Sequence, residues 1–423
     1  MVIVYILTTS LSAGFLQGQL RSLRASGFRP IICAPDLTNN LRELSCREQV
    51  DLVECPMRRE ISPIRDFISY WKLVWILHRL KPAITVTIGP KAGLLGGLAA
   101  ATSHVPCRVQ TKWGIRLETT RGLLRLALII TDKIGAACSH RILCDSESGR
   151  YRTAELGLAP IEKISVIGTG SANGIDVTRF DLSDNNLALA KTFRTEIGAH
   201  SRTPVVGFVG RLSRDKGLGE LLLAWPLIKS SQPDAVLALI GPAECSTALE
   251  HEQLLRLRNM AGVRLLGHRS HLEGVFAAFD VLLLPSHREG FGVVVLEAAA
   301  TGVPTVGFAV TGMRDSIVAN KTGALVKFGD HEGLAREIVS YLTSASLRLK
   351  HGVAGRKRVV EKFQQVQLWH GYFNFFKEQA ELVGLPVSGL RWVEPATTLV
   401  NSKIDNEKFA SILTGLLKTR SCK

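Results

Sequence analysis

Two glutamates eight positions apart, Glu289 and Glu297, bracket a glycine-rich step, Gly290-Phe291-Gly292-Val293, just behind the apolar run Val281-Leu282-Leu283-Leu284. A short apolar run of this kind reads as a buried parallel strand. The order strand, glycine-rich loop, helix leaves backbone N–H groups at a helix N-terminus, where phosphate is favoured. Carboxylates repel phosphate, so the glutamates suit hydroxyl-rich parts of the same ligand. Were the segment helical throughout, they would stand roughly 12 Å apart and reach different parts of it. A ligand with phosphate in its middle and polyols at both ends is a nucleotide-sugar.

A second signal stands upstream, in Gly207-Phe208-Val209-Gly210-Arg211-Leu212-Ser213-Arg214-Asp215-Lys216-Gly217. A strand ending at Gly210 lets a ligand approach the backbone. Arg211 and Lys216 flank a loop that opens a helix, one offering a bidentate fork and the other a point charge, and both can close on a diphosphate. Negative charge grows on a leaving diphosphate as a glycosidic bond breaks, so these cations would act on the transition state. Taken alone they also fit two solvated loop cations; the glutamate motif further along favours the ligand. Leu266-Gly267-His268-Arg269 follows another strand-like run and is a candidate to hold the base edge, with Arg269 as its charged member. Histidines form no cluster, and no Cys or His group has metal-ligand spacing, so no metal is expected.

These loops need rigid strands and helices behind them. A chain of 423 residues, 46% hydrophobic, is long enough for two or three domains with sizeable cores. Strand-like runs at 2–7, 30–34, 52–53, 84–88 and 142–144 alternate with helical patterns, including 15–25, 64–80, 94–101 and one opening at Ser146. This β-α rhythm implies a parallel sheet covered on both faces. A small-residue break at 168–174 and a polar stretch at 182–203 precede a second series of strands, at 205–209, 236–240, 263–266, 281–284 and 304–307. Helical patterns then run from 331 to 385, and a short basic helix is expected from Lys408. The predicted organisation is an N-terminal Rossmann-like domain over 1–180, a C-terminal one over 181–385 and a tail over 386–423.

The eight cysteines lack any C-x-x-C pair and several sit in apolar runs, which fits a reducing compartment. No signal peptide or membrane-spanning run is recognised, and a cytoplasmic protein is expected. The net charge of +15 gathers at Arg58-Arg59 and at Arg108, Lys112, Arg116, Arg121 and Arg125. It fits a solvated surface with an anionic ligand, or an anionic membrane. Nucleic acid is disfavoured, because no aromatic-interleaved basic strand or zinc-finger spacing occurs.

Arg211, Lys216, Glu289 and Glu297, each in its motif, resemble the C-terminal half of family-four retaining glycosyltransferases. Their fold is GT-B, an α/β architecture of two Rossmann-like domains with parallel sheets. The N-terminal half is similar to a narrower group, bacterial transferases that extend polyprenyl-diphosphate-linked sugars for capsule, O-antigen or protein glycans. The matching pieces are Ile61-Ser62-Pro63, Gly89-Pro90-Lys91-Ala92-Gly93-Leu94-Leu95-Gly96, Leu117-Glu118-Thr119-Thr120-Arg121-Gly122 and Gly168-Thr169-Gly170-Ser171-Ala172-Asn173-Gly174-Ile175-Asp176. The resemblance implies that Arg211 and Lys216 bind the nucleotide diphosphate and that Glu297 accepts from the ribose hydroxyls. It implies that Glu289 orients the donor sugar or stabilises charge at its anomeric carbon, while Gly290, Phe291, Gly292 and Val293 offer backbone N–H groups. It implies hexosyl or N-acetylhexosaminyl transfer from a UDP-sugar co-substrate, with retention, without metal or other cofactor, to a lipid-linked saccharide on the inner face of the plasma membrane. Where wider relatives carry a His-Gly pair this chain has Lys112-Trp113-Gly114-Ile115-Arg116, leaving Lys112 or Arg116 as candidates for that charge. The N-terminal loop, Ser12-Ala13-Gly14, lacks the paired glycines of some relatives. Residues 64–80 mix aromatics with cations and suit either a core helix or a membrane interface. Two rival readings are a nucleotide-sugar epimerase of similar fold and a non-catalytic, basic nucleotide- or nucleic-acid-binding protein.

Overall fold

The computed structural model describes residues 1–35, 38–55, 57, 62–395 and 406–420. Arg58, Arg59 and Ile61, named above, and Cys422, one of the eight cysteines, lie outside the described residues. The chain forms two compact units: Met1–Gly174 with Gln365–Val400, and Ile175–Gln364 with Asn401–Lys423.

In the first unit, among the described residues, seven parallel strands form one sheet: β1 (Val2–Leu7), β2 (Arg29–Ala34), β3 (Asp51–Glu54), β4 (Ile84–Ile88), β5 (Cys107–Lys112), β6 (Arg141–Cys144) and β7 (Ile164–Val166). Their order is β3-β2-β1-β4-β5-β6-β7. β1 is apolar throughout, and β4 is buried over its whole length although Thr85 and Thr87 alternate with its apolar residues, because helices cover both faces of the sheet. Ser146 caps the helix Glu147–Glu155 by accepting from the Gly149 N–H at 3.1 Å, as its position predicts.

The second unit holds six parallel strands among its described residues: β8 (Val205–Val209), β9 (Val236–Ile240), β10 (Val263–Leu265), β11 (Val281–Leu284), β12 (Thr305–Phe308) and β13 (Gly323–Val326), in the order β10-β9-β8-β11-β12-β13. The order reverses between β8 and β11. Connections leaving neighbouring strands on either side of such a point run to opposite faces and open a crevice at the strands' carboxyl ends. The two motif loops leave these very strands.

Where the chain changes unit differs from the expected boundaries. The first crossing, at Gly174 and Ile175, falls within the small-residue break. The helix Gln365–Leu382, expected in the second domain, belongs to the first unit. The reason is apolar burial: Tyr372, Phe373, Phe375 and Phe376 enter the core that holds Tyr5 and Phe28. Each buried ring contributes about 1.5–3 kcal/mol. Trp369 Nε1 donates to Asn173 Oδ1 at 2.8 Å, and the Tyr372 hydroxyl donates to the Ala172 carbonyl at 3.0 Å, so the Gly168–Asp176 motif seats this helix. The tail, given no domain from sequence but a short basic helix from Lys408, forms a helix over Asn406–Arg420 that belongs to the second unit. Phe409, Leu413 and Leu417 are buried there, and Arg420 donates to the carbonyls of Phe279 and Ala277.

Candidate active site

β8 is buried over its whole length and delivers the chain to Gly210, whose N–H donates to the Ile240 carbonyl. Arg211 follows, and a 3-10 turn, Arg214–Lys216, leads through Gly217 into the helix Leu218–Ser231. Gly217 has φ +84°, and a Cβ there would stand 2.2 Å from the Pro285 carbonyl oxygen. No other residue permits the β8 loop to press so closely on the chain leaving β11.

That close approach aligns two short segments. Lys216 Nζ lies 2.5 Å from Glu289 Oε1, with both side chains largely buried. One residue earlier in each segment, Arg288 donates through Nη2 (2.6 Å) and Nε (3.0 Å) to Asp215 Oδ2. The His287 N–H donates to the Asp215 carbonyl at 2.9 Å, and His287 Nε2 lies 2.8 Å from Glu220 Oε1. Asp215-Lys216 thus reads against Arg288-Glu289 with opposite charges in register. Sequence reasoning singled out Lys216 and Glu289 but missed Asp215, Glu220, His287 and Arg288. The complementary order of the two dipeptides was the available signal.

The segment from Glu289 to Glu297 is not helical throughout. Gly292, at φ +80° and ψ 59°, turns the chain, and the helix Val293–Ala300 starts only after it. Phe291 is buried with its ring 5.3 Å from Phe363, so it can face a ligand only through its backbone. Gly312 covers the Gly290 carbonyl, where a Cβ would come within 2.4 Å of the oxygen. Gly290, Gly292 and Val293 form the turn that delivers the helix N-terminus.

Glu297 projects from this helix, half-buried. Loss of solvent around its carboxyl pushes the pKa up to about 7; Arg179 opposes the rise and Glu273 adds to it. Arg179 itself donates through Nε to Glu273 Oε1. The remaining predicted cations are engaged elsewhere: Arg211 Nη1 lies 2.6 Å from Glu244 Oε2, with both side chains half-exposed. Arg269 pairs with Glu196, its guanidinium 5.3 Å from the centre of the Phe193 ring. The structure therefore joins Lys216 to Glu289, pairs Arg211 with Glu244 and Arg269 with Glu196, and sets Glu297 under the influence of Arg179 and Glu273.

In the first unit, Lys112 is buried, 2.9 Å from Asp132, while Arg116 is exposed at the 3-10 turn Arg116–Glu118. Ser12, Ala13 and Gly14 lie in the 3-10 segment Ser10–Leu16. Among the described residues, no group of three or more His, Cys, Asp and Glu side chains is arranged to hold a metal ion.

Residues 190–358 match the model of the family described as glycosyl transferases group 1. Over 382 residues the chain is 33% identical to the capsular polysaccharide biosynthesis glycosyltransferase CapM of Staphylococcus aureus, covering 90% of this chain and 98% of CapM. The chain belongs to the group 1 glycosyltransferase family. It is an enzyme of sugar transfer, as the four motif residues suggested. A second relative of this glycosyltransferase, 30% identical over 285 residues, is the UDP-Gal:alpha-D-GlcNAc-diphosphoundecaprenol alpha-1,3-galactosyltransferase of Escherichia coli, with 66% of this chain and 72% of the relative covered. Among solved structures, HepE of Anabaena in complex with UDP and glucose superposes with a TM-score of 0.74 at 18% identity, over 89% of this chain and all of HepE. Sucrose-phosphate synthase of Thermosynechococcus elongatus gives 0.73 at 17% identity, over 90% of this chain and all of the other. The fold of this glycosyltransferase is GT-B, with two Rossmann-like units.

Proposed function

We propose that this glycosyltransferase moves a hexosyl or N-acetylhexosaminyl group from a UDP-sugar, with retention, to a polyprenyl-diphosphate-linked saccharide during cell-surface polysaccharide synthesis. The observation that carries the reading is the Lys216–Glu289 pair, held where the strand order reverses between β8 and β11. A cation and an acid fixed at that crevice suit a diphosphate bonded to a sugar. When the donor binds, Lys216 and Arg211 turn from Glu289 and Glu244 onto the diphosphate, and Glu289 is left to hold the donor sugar. Glu297 accepts from the ribose hydroxyls, and the N–H groups from Gly290 to Val293 face sugar and phosphate. Arg269, on the loop after β10, borders the base.

In the reaction the bond from the anomeric carbon to the diphosphate oxygen breaks, and a bond from that carbon to the acceptor hydroxyl oxygen forms on the same face. The hydroxyl proton passes to the departing phosphate, so the chain supplies no general base, and attack on the face that the diphosphate leaves uses no enzyme nucleophile. Lys216 and Arg211 stabilise the charge that grows on the leaving group, and the chemistry needs no resident metal or cofactor. The names of CapM and of the Escherichia coli enzyme support the pathway and the acceptor class, and UDP in HepE supports the donor. Such an acceptor places the enzyme at the inner face of the plasma membrane.

The test is incubation of the purified full chain with radiolabelled UDP-sugars and a membrane lipid extract. Label is expected in the organic phase, in a lipid-linked saccharide. Label found only as free sugar or as an epimerised nucleotide-sugar would replace this reading with the epimerase one.

A further inference from the structure

The first unit carries an unusual surface. The helix Pro63–Leu80 buries Ser69, Leu73, Ile76 and Leu77 against the core. Its opposite face shows Ile64 (79% exposed), Phe67, Ile68, Trp71 and Trp75 (58%) to solvent. These positions follow i, i+3, i+4, i+7, i+11, one stripe of a helix. The helix Gly122–Cys138 repeats the pattern, with Leu123 (86% exposed), Leu126, Ile130 and Ile134 outward. Both helices pack on the same intervening segment, residues 92–102. Tyr70 hydrogen-bonds Thr102 at 2.8 Å, and Gly135 sits so tightly on Gly93 that a Cβ would come within 2.8 Å of its carbonyl oxygen. The two apolar stripes are therefore near neighbours on one unit.

The charges on these helices are sorted by sign. Asp66 and Asp132 are their only acids. Each is turned onto a lysine: Lys91 Nζ, in the helical turn after β4, lies 2.7 Å from Asp66, and Lys112 Nζ, at the end of β5, lies 2.9 Å from Asp132. The exposed charges that remain are positive: Arg65, Lys72 and Arg79 at seven-residue spacing beside the first stripe, and Arg121 and Lys133 beside the second. The Arg79 guanidinium lies 5.5 Å from the Trp75 ring centre. Among the described residues no helix is long and apolar enough to cross a membrane.

We propose that these two helices form one docking surface for an anionic lipid bilayer. They lie in its interface, with the aromatic and aliphatic stripes inserted and the cations on lipid headgroups. Exposed aromatic and aliphatic stripes edged only by cations suit that environment. Anionic lipid adds about 1 kcal/mol per cation near the surface. A second copy of this chain on the same face would set cation rows against cation rows. The inference depends on the lipid-linked-acceptor reading only for its purpose, bringing the enzyme to its substrate.

The experiment is flotation of the full chain with phosphatidylcholine vesicles containing about 30% phosphatidylglycerol, set against pure phosphatidylcholine. The unaltered chain floats with the anionic vesicles, and added salt weakens the association. Trp71→Glu with Trp75→Glu, or Leu123→Glu with Ile130→Glu, lowers partitioning on the order of tenfold or more, while UDP affinity stays unchanged as the check on folding. In the unaltered chain, bromolipids quench tryptophan fluorescence, and Trp71→Phe with Trp75→Phe removes most of that quenching. The proposal falls if the chain stays with the unbound fraction, if the Glu variants float equally well, or if those substitutions abolish a dimer formed without vesicles. A chain that floats as expected but labels no lipid-linked acceptor refutes the acceptor reading and leaves this surface standing.

Discussion

Replacing Glu297 by Gln should stabilise the protein at alkaline pH while weakening its hold on nucleotide. Burial raises this carboxyl from 4.5 to about 7 in the folded chain. Between those values the folded state binds a proton that the unfolded state has lost, so stability falls as pH climbs through the window and levels off above about 7. A gap of about 2.5 pKa units corresponds to at most about 3 kcal/mol, at 1.36 kcal/mol per unit. Partial solvent access at this half-buried side chain reduces that to about 1–2 kcal/mol. Glutamine keeps the shape and carries no charge. Urea unfolding should therefore find the two proteins alike near pH 4.5 and the variant more stable by about 1–2 kcal/mol at pH 8. Calorimetric titration with UDP adds the functional half. If ribose hydroxyls bond the ionised carboxylate, binding near pH 6.5 releases about three quarters of a proton from the unaltered protein and none from the variant. Arg179, Glu273 and His271 face this region, and an Arg179→Gln variant should raise the Glu297 pKa further. Identical pH slopes for unfolding in the two proteins would refute the desolvation argument. Equal proton release would refute the assignment of Glu297 to the ribose.

Lys216→Ala or Arg211→Ala should each lower kcat by about a hundredfold or more, near 3 kcal/mol of transition-state stabilisation; a change confined to KM would remove them from the chemistry. Glu289→Ala should damage turnover far more than UDP affinity, and equal loss of both would contradict its place at the donor sugar. A double-mutant cycle on Asp215 and Arg288 should yield a coupling of about 1 kcal/mol in unfolding, and a value near zero would show that their paired hydrogen bonds do not hold the two loops. Gly217→Ala should cost more than about 2 kcal/mol of stability, because its φ is +84° and the new Cβ would meet the Pro285 carbonyl; thermal unfolding at the unaltered temperature would count against this.

Much of the fold was legible because a parallel strand covered on both faces must be apolar along its length. β1, β8, β9 and β11 announce themselves in this way, and Glu289 and Lys216 stand in the loops that follow two of them. β5 did not. Its Arg108 and Lys112 read as part of a basic cluster, yet Lys112 is buried, as is Gln110 between them. Arg108 is satisfied by the Cys138 and Val105 carbonyls and Lys112 by Asp132, partners set by folding and not by local pattern. The helix Gln365–Leu382 shows the same limit: its periodicity foretold a helix, but only the rings of Tyr5 and Phe28 decide which unit receives it. Within the site, residue types and spacing alone carried the reading of a diphosphate bonded to a sugar, because loops behind apolar strands must emerge at a sheet's carboxyl edge. Tertiary structure alone decided that Lys216 meets Glu289 while Arg211 meets Glu244, and that Glu297 is desolvated enough to hold its proton near neutrality. Ion pairs and desolvation depend on distances between segments far apart in the chain, and folding sets those distances.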